Sequence, residues 1–150
     1  MKDLRGQATG TVSVHAERCF AVLLAVDRYP QAYPEVIRQV DVLDRHADGS
    51  PRLALANVSL GLGPVQRDFE LRVRVSWKQD RLVRLTRVPD DRSDPERLTL
   101  TWHINPGPPT RLTVMLRARL DVPRVIPVTG AGGTVARGLL DAASRTLENP

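Results

Sequence analysis

The chain has little of several things, and each shortage narrows what it can be. It holds one cysteine, Cys19, so no disulfide can form within it. That agrees with a reducing compartment and a cytoplasmic protein. No apolar run approaches the ~20 residues that span a bilayer. The start, Met1 to Gly6, lacks the apolar stretch of a secretory leader. Lysine is nearly missing: only Lys2 and Lys78 occur, so arginine carries most of the basic charge behind the net +5. Aromatic residues make up 4% of the chain. Any internal space must therefore be walled mainly by leucine, valine and alanine. The histidines His15, His46 and His103 are widely separated and lack metal-ligand spacing. No metal and no other cofactor is expected.

With 150 residues, the whole chain reads as one domain able to bury roughly 70% of its unfolded surface. The arginines alternate with apolar residues, as in Leu71-Arg72-Val73-Arg74-Val75 and Leu116-Arg117-Ala118-Arg119-Leu120. That spacing places them on the solvated face of strands. No nucleic-acid motif accompanies them, and no nucleic-acid partner is expected.

The pattern predicts a strand over 7–14 and a buried helix over 16–26, where Phe20, Leu23 and Leu24 share a face. Asp27 and Pro30 mark its end, and Tyr29 to Val36 forms a short second helix or a turn. Alternation with turn signals then runs from 37 to 121. Strands fall around Val40 to Leu43, Leu53 to Leu60 (closed by Gly61 and Gly63), Val65 to Trp77, Leu82 to Val88, Leu98 to Ile104 and Leu112 to Leu120. Neighbours this close in sequence pair antiparallel. Arg84 faces inward if the turn at Gln79-Asp80 has two residues, and outward if it has three. A final helix covers 134–147 with Thr134 as its N-cap; the state of 124–133 stays open.

The fold class is therefore α+β: a curved antiparallel sheet of about seven strands around a long C-terminal helix, with two short helices after the first strand. That last helix is rich in small residues, among them Gly132, Gly133, Ala136, Gly138, Ala142 and Ala143. Two outcomes follow. The helix sits very close to the sheet, or a void remains, and a dry apolar void suits an apolar guest.

With this order in view, the chain resembles the START-like (SRPBCC) superfamily with its helix-grip fold, in the polyketide cyclase/dehydrase and coenzyme Q-binding branch. The residues that carry the resemblance are Gly10-Thr11-Val12-Ser13-Val14, Phe20 to Pro30, Tyr33-Pro34-Glu35-Val36 and Val40-Asp41-Val42-Leu43. Asp27 stands closer to Tyr29-Pro30 than the family's usual spacing. What the resemblance implies is a ligand cavity between the sheet and the last helix, without fixing one chemistry.

The residues expected to face a ligand are Leu55, Asn57, Arg67, Phe69, Leu71, Val73, Trp77, Leu100, Trp102, Leu116, Val135 and Leu139. Asn57 is taken to share the register of Leu53 and Leu55, and Arg67 that of Phe69. Tyr29 and Tyr33 either line the mouth or anchor the helix ends. No catalytic set stands out: Cys19 reads as core, and Asp90, Asp91, Asp94 and Glu96 as a solvated turn. The glycines of Val128-Thr129-Gly130-Ala131-Gly132-Gly133 imitate a dinucleotide fingerprint. Too little chain follows them for the second strand which that chemistry needs.

The leading expectation is a monomeric or homodimeric binding protein for a hydrophobic or amphipathic small molecule such as a lipid, a quinone or a polyketide-like ring system. One alternative is an aromatase/cyclase-like enzyme using Asn57, Arg67 and Tyr33. Another is a protein-interaction module that meets a ribosomal or respiratory partner through the arginine-bearing sheet face.

Overall fold

The computed structural model of the protein describes residues 2–62, 64–121 and 130–149. In chain order its elements are β1 (Lys2–Val12), α1 (Ala16–Leu24), a single 3₁₀ turn (Val26–Arg28), α2 (Tyr29–Ala32), β2 (Ile37–Arg45), β3 (Pro51–Leu62), β4 (Val65–Lys78), β5 (Leu82–Arg87), β6 (Arg97–Asn105), β7 (Thr110–Leu120) and α3 (Ala131–Glu148). The strands form one antiparallel sheet in the order β1-β7-β6-β5-β4-β3-β2. Strands β2 to β6 each pair with the next in sequence, and β1 joins the far edge beside β7. The result is the expected helix-grip architecture. The helix α3 packs against β1 and β7.

The close packing has a cause in the sequence. Residues Leu4, Gly6, Ala8, Gly10 and Val12 alternate on the inner side of β1, and its three larger members are buried. On α3, Gly132, Ala136, Leu139, Leu140, Ala143 and Leu147 are buried, with Gly132 set against Gly6 and Leu140 against Gly10 of β1. At the start of α3 the two backbones touch. A methyl group on Gly6 would lie 2.0 Å from the Gly132 carbonyl oxygen, and one on Gly132 would lie 2.3 Å from the Arg5 carbonyl oxygen. Only glycine fits on either side. At the other end of α3, Glu148 accepts hydrogen bonds from the Ser13 N–H (2.7 Å) and hydroxyl (2.6 Å). Those bonds hold the Glu148 carboxyl below its ordinary pKa. The helix is thus fixed to β1 at both ends.

Several boundaries differ from the sequence reading. Strand β1 begins at Lys2 and ends at Val12, pairing residue for residue with β7 from Lys2↔Leu120 to Val12↔Thr110. Its small residues give a weak strand signal, and the partner strand supplies the order. Helix α3 starts at Ala131, before the expected Thr134. Gly130, at φ 83°, is its N-cap, and Thr134 lies inside the first turn with its hydroxyl bonded to the Gly130 carbonyl (3.1 Å). Of the open stretch 124–133, residues 124–129 lie outside the described residues, as does Gly63. The β4–β5 connection has three residues, with Asp80 in the left-handed region (φ 58°). Arg84 therefore points outward.

The buried arginine is instead Arg87, 7% exposed, on the inward register of Val83 and Leu85. Its guanidinium reaches Asp94 at 2.7 Å and the Glu96 carbonyl at 3.1 Å. The loop after β5 is thus held by a buried cation, not merely solvated. The Arg87 bond draws the Asp94 carboxyl down to about 2.

Replacing Gly132 by alanine sets a methyl group against backbone that cannot rotate away, and is expected to cost about 2 kcal/mol or more in chemical denaturation. Asp94 contributes a second expectation. Its folded pKa lies below its unfolded value, so its contribution is complete above about pH 4 and fades as the pH falls through about 2. Melting curves from pH 5 to pH 2 should drop less steeply in Asp94→Asn than in the parent protein.

Candidate functional site

Pinning α3 over β1 and β7 leaves the rest of the concave sheet less fully covered. Two spaces result. The first is an inner chamber of about 80 Å³ between sheet and helix. Its walls come from all seven strands, from Val26, Tyr29 and Val36, and from Val135 and Leu139 of α3, and are almost entirely leucine, valine and alanine. The second is a larger cleft of about 580 Å³ between α1, α2 and α3. Alanines stand on both sides of it (Ala21 and Ala25 near α1, Ala142 and Ala143 on α3), and no bulky side chain fills the gap. Tyr29, Ile37 and Leu139 border both spaces, so they form the wall between them.

Tyr29 is anchored by its hydroxyl, which donates to the Leu23 carbonyl oxygen. Burial pushes its phenol far above the ordinary value; the nearby Trp102 indole N–H offsets this only in part. Trp102 is itself 1% exposed, and its N–H makes no hydrogen bond within normal limits. It borders the cleft beside Tyr29. Tyr33 reaches α3 at a glycine: a methyl group on Gly138 would lie 2.1 Å from the Tyr33 hydroxyl oxygen. Burial, aided by the Glu35 charge, raises the Tyr33 pKa. Both phenols therefore stay protonated near neutral pH. Arg18, Arg28 and Thr146 add polar groups around the cleft.

The expected ligand-facing residues divide into groups. Leu71, Val73, Leu100, Leu116, Val135 and Leu139 line the chamber, and Trp102 borders the cleft. Arg67 and Phe69 share the inner register but sit apart from both spaces. The Arg67 guanidinium lies 5.1 Å from the Phe69 ring centre and donates to the Asp121 carbonyl oxygen. Trp77 meets His46 edge to face, with ring centres 4.3 Å apart.

Leu55 and Asn57 are corrections. They pair with Arg72 and Glu70 on the outer face, while Ala54, Ala56, Val58 and Leu60 turn inward. Strand β3 has apolar residues on both alternations, so period two alone could not choose the face. Of the polar trio considered for catalysis, Asn57 is outside and Arg67 is held by Asp121. Only Tyr33 borders the cleft.

The cleft walls from Arg18 to Arg28 were not anticipated as a site. The signal lies in Ala21 and Ala25, whose small side chains the pattern of a buried helix does not distinguish from core. Cys19 is fully buried and its thiol pKa is raised, chiefly by that burial. Among the described residues no cluster of His, Cys, Asp and Glu is arranged to hold a metal, and no helix is long and apolar enough to cross a membrane.

A bent sheet gripping a helix across an apolar space defines a START-like, helix-grip domain. Residues 12–147 match the family described as polyketide cyclase / dehydrase and lipid transport, and the chain belongs to that family. Its fold is similar to that of a START superfamily protein from Mycobacterium smegmatis (22% identity, 97% of each chain, TM-score 0.78). It is also similar to the di-domain ARO/CYC BexL, at 12% identity over 99% of this chain and 51% of that one, with a TM-score of 0.69. A major latex-like protein from Panax ginseng aligns over 99% of both chains at 12% identity and a TM-score of 0.65. Among functionally curated proteins, none matches the chain in sequence.

The Tyr33–Gly138 contact gives a contrast with Gly132. At Gly138 the obstacle is the free end of a side chain, and alanine improves helix propensity by about 1 kcal/mol. Gly138→Ala should leave stability within about 1 kcal/mol of the parent. It should also move Tyr33, detectable as a shifted ring signal in NMR spectra.

Proposed function

We propose that the protein is an intracellular carrier or receptor for an apolar or amphipathic small molecule, seated in the cleft and reaching toward the chamber through Tyr29, Ile37 and Leu139. The observation that carries this reading is the pair of spaces itself: a nearly all-apolar chamber adjoining a 580 Å³ cleft at Tyr29, Ile37 and Leu139. The chamber alone is small, so a guest of two or more rings takes the cleft as its main seat. Covering about 200 Å² of apolar surface contributes about 5 kcal/mol at ~25 cal/mol per Å². The Trp102 N–H and the Tyr33 hydroxyl offer polar contacts for a carbonyl or hydroxyl on such a guest. Lipids, quinones and polyketide-like rings fit this description.

Binding without turnover is the better-supported reading. The chamber contains no acid–base pair, and the candidate catalytic groups are not gathered around either space. BexL is an aromatase/cyclase by its own description, and a cyclase role for this chain would require Tyr33 to act without Asn57 or Arg67.

The test uses N-phenyl-1-naphthylamine, whose fluorescence rises in apolar surroundings. Its binding is expected in the micromolar range. Ala143→Phe, which fills the cleft beside Leu139, should weaken it at least tenfold while leaving the fold intact by circular dichroism. Equal binding by parent and variant would remove the cleft from the proposal.

A further inference from the structure

The outer face of the sheet carries an arrangement that ligand binding inside does not use. Arg74, Thr86, Thr99, Arg117 and Arg5 form one continuous row across β4, β5, β6, β7 and β1. In the next row Arg84 pairs with Thr101, and Thr101 with Met115. Between the rows lies a shallow recess of about 410 Å³, lined by Arg84, Arg117, His103, Met115 and three threonines. Thr101 is 6% exposed, and its hydroxyl oxygen accepts from Arg84 Nε (3.3 Å), which leaves its own proton free to donate.

Two features make this more than a solvated face. Arg5 and Arg117 are direct cross-strand partners, and like charges placed opposite one another destabilise a sheet. Among the described residues neither arginine makes a salt bridge, and Asp3, the carboxylate on this face of β1, stands opposite Arg119. The recess also has the composition of an interface centre, with arginine and methionine present and lysine, aspartate and glutamate missing.

We infer that this recess docks a carboxylate-rich surface of a partner protein. The guanidinium forks of Arg84 and Arg117 match carboxylates two bonds at a time, and the threonine hydroxyls donate to the remaining lone pairs. The one ring lining the recess is the half-buried imidazole of His103, so successive bases of a single strand find no row of rings to stack on. A duplex would meet a face that bends away from it, outside the grip on α3. Membrane insertion would need exposed bulky apolar side chains; the one such residue among those described, Leu43, lies on β2 at the opposite edge from β1.

Fluorescently labelled poly-L-glutamate serves as the probe, in the parent protein and two charge-matched triple variants. Arg74→Glu, Arg84→Glu and Arg117→Glu together should weaken binding at least tenfold at low salt. Arg38→Glu, Arg92→Glu and Arg137→Glu, equal in charge but remote, should weaken it less than threefold. Should the face triple fail to fold by circular dichroism, Arg84→Gln with Arg117→Gln replaces it, with an expected loss of at least threefold. A separate melting curve of Arg117→Thr should show a higher midpoint, because the repulsion with Arg5 is gone; an arginine serving only the fold would lower it. The inference is overturned if poly-L-glutamate does not bind, if both triples weaken it equally, or if the Arg117→Thr midpoint falls. Tighter binding by the parent to a 20-base-pair duplex or to phosphatidylserine vesicles would overturn it in favour of those partners.

Discussion

The structure depends on a contact between two backbones. Gly132 at the start of α3 rests on β1 at Gly6, so closely that neither position tolerates a methyl group. Ser13 and Glu148 complete the attachment at the helix's other end. A helix held this tightly along one edge of a seven-stranded sheet cannot also fill the space over the middle strands. The chamber and the cleft follow from that geometry. The small residues of α3 therefore serve two opposite ends: contact where they meet β1, and unfilled space where Ala142 and Ala143 meet the alanines of α1. Close packing and a void, which the sequence presents as alternatives, occur on different sides of one helix.

Much of the architecture was legible because period-two alternation is strong in β4 and β7. In these strands inward residues such as Leu71, Val73, Leu112 and Val114 are apolar, and their neighbours, Met115 aside, are charged residues or threonine. The family resemblance in residues 10–45 pointed to the same fold. Strand β3 was harder. Leu53 and Leu55 compete with Ala54 and Ala56, and only pairing with β4 decides which set is buried. Arg87 was missed because a charged residue on an inward register reads as an error until Asp94 and Glu96 are seen to fold back over it. The cleft was missed for another reason: it lies between helices, where alternation along a strand carries no information.

The charge distribution divides the molecule by face. Inside, the polar groups are few and mostly tied to backbone, as Tyr29 is to Leu23 and Arg67 to Asp121. Outside, Arg74, Arg84 and Arg117 make no salt bridge among the described residues, while Arg119 stands opposite Asp3. The sheet thus separates an apolar interior from an arginine-bearing exterior.

The wall shared by the two internal spaces consists of Tyr29, Ile37 and Leu139. A guest that presses Leu139 inward narrows the chamber; one that draws it outward widens the chamber. If the proposed guests are bound, filling either compartment would change the volume of its neighbour, so that two guests would sense each other's size across a partition one side chain thick.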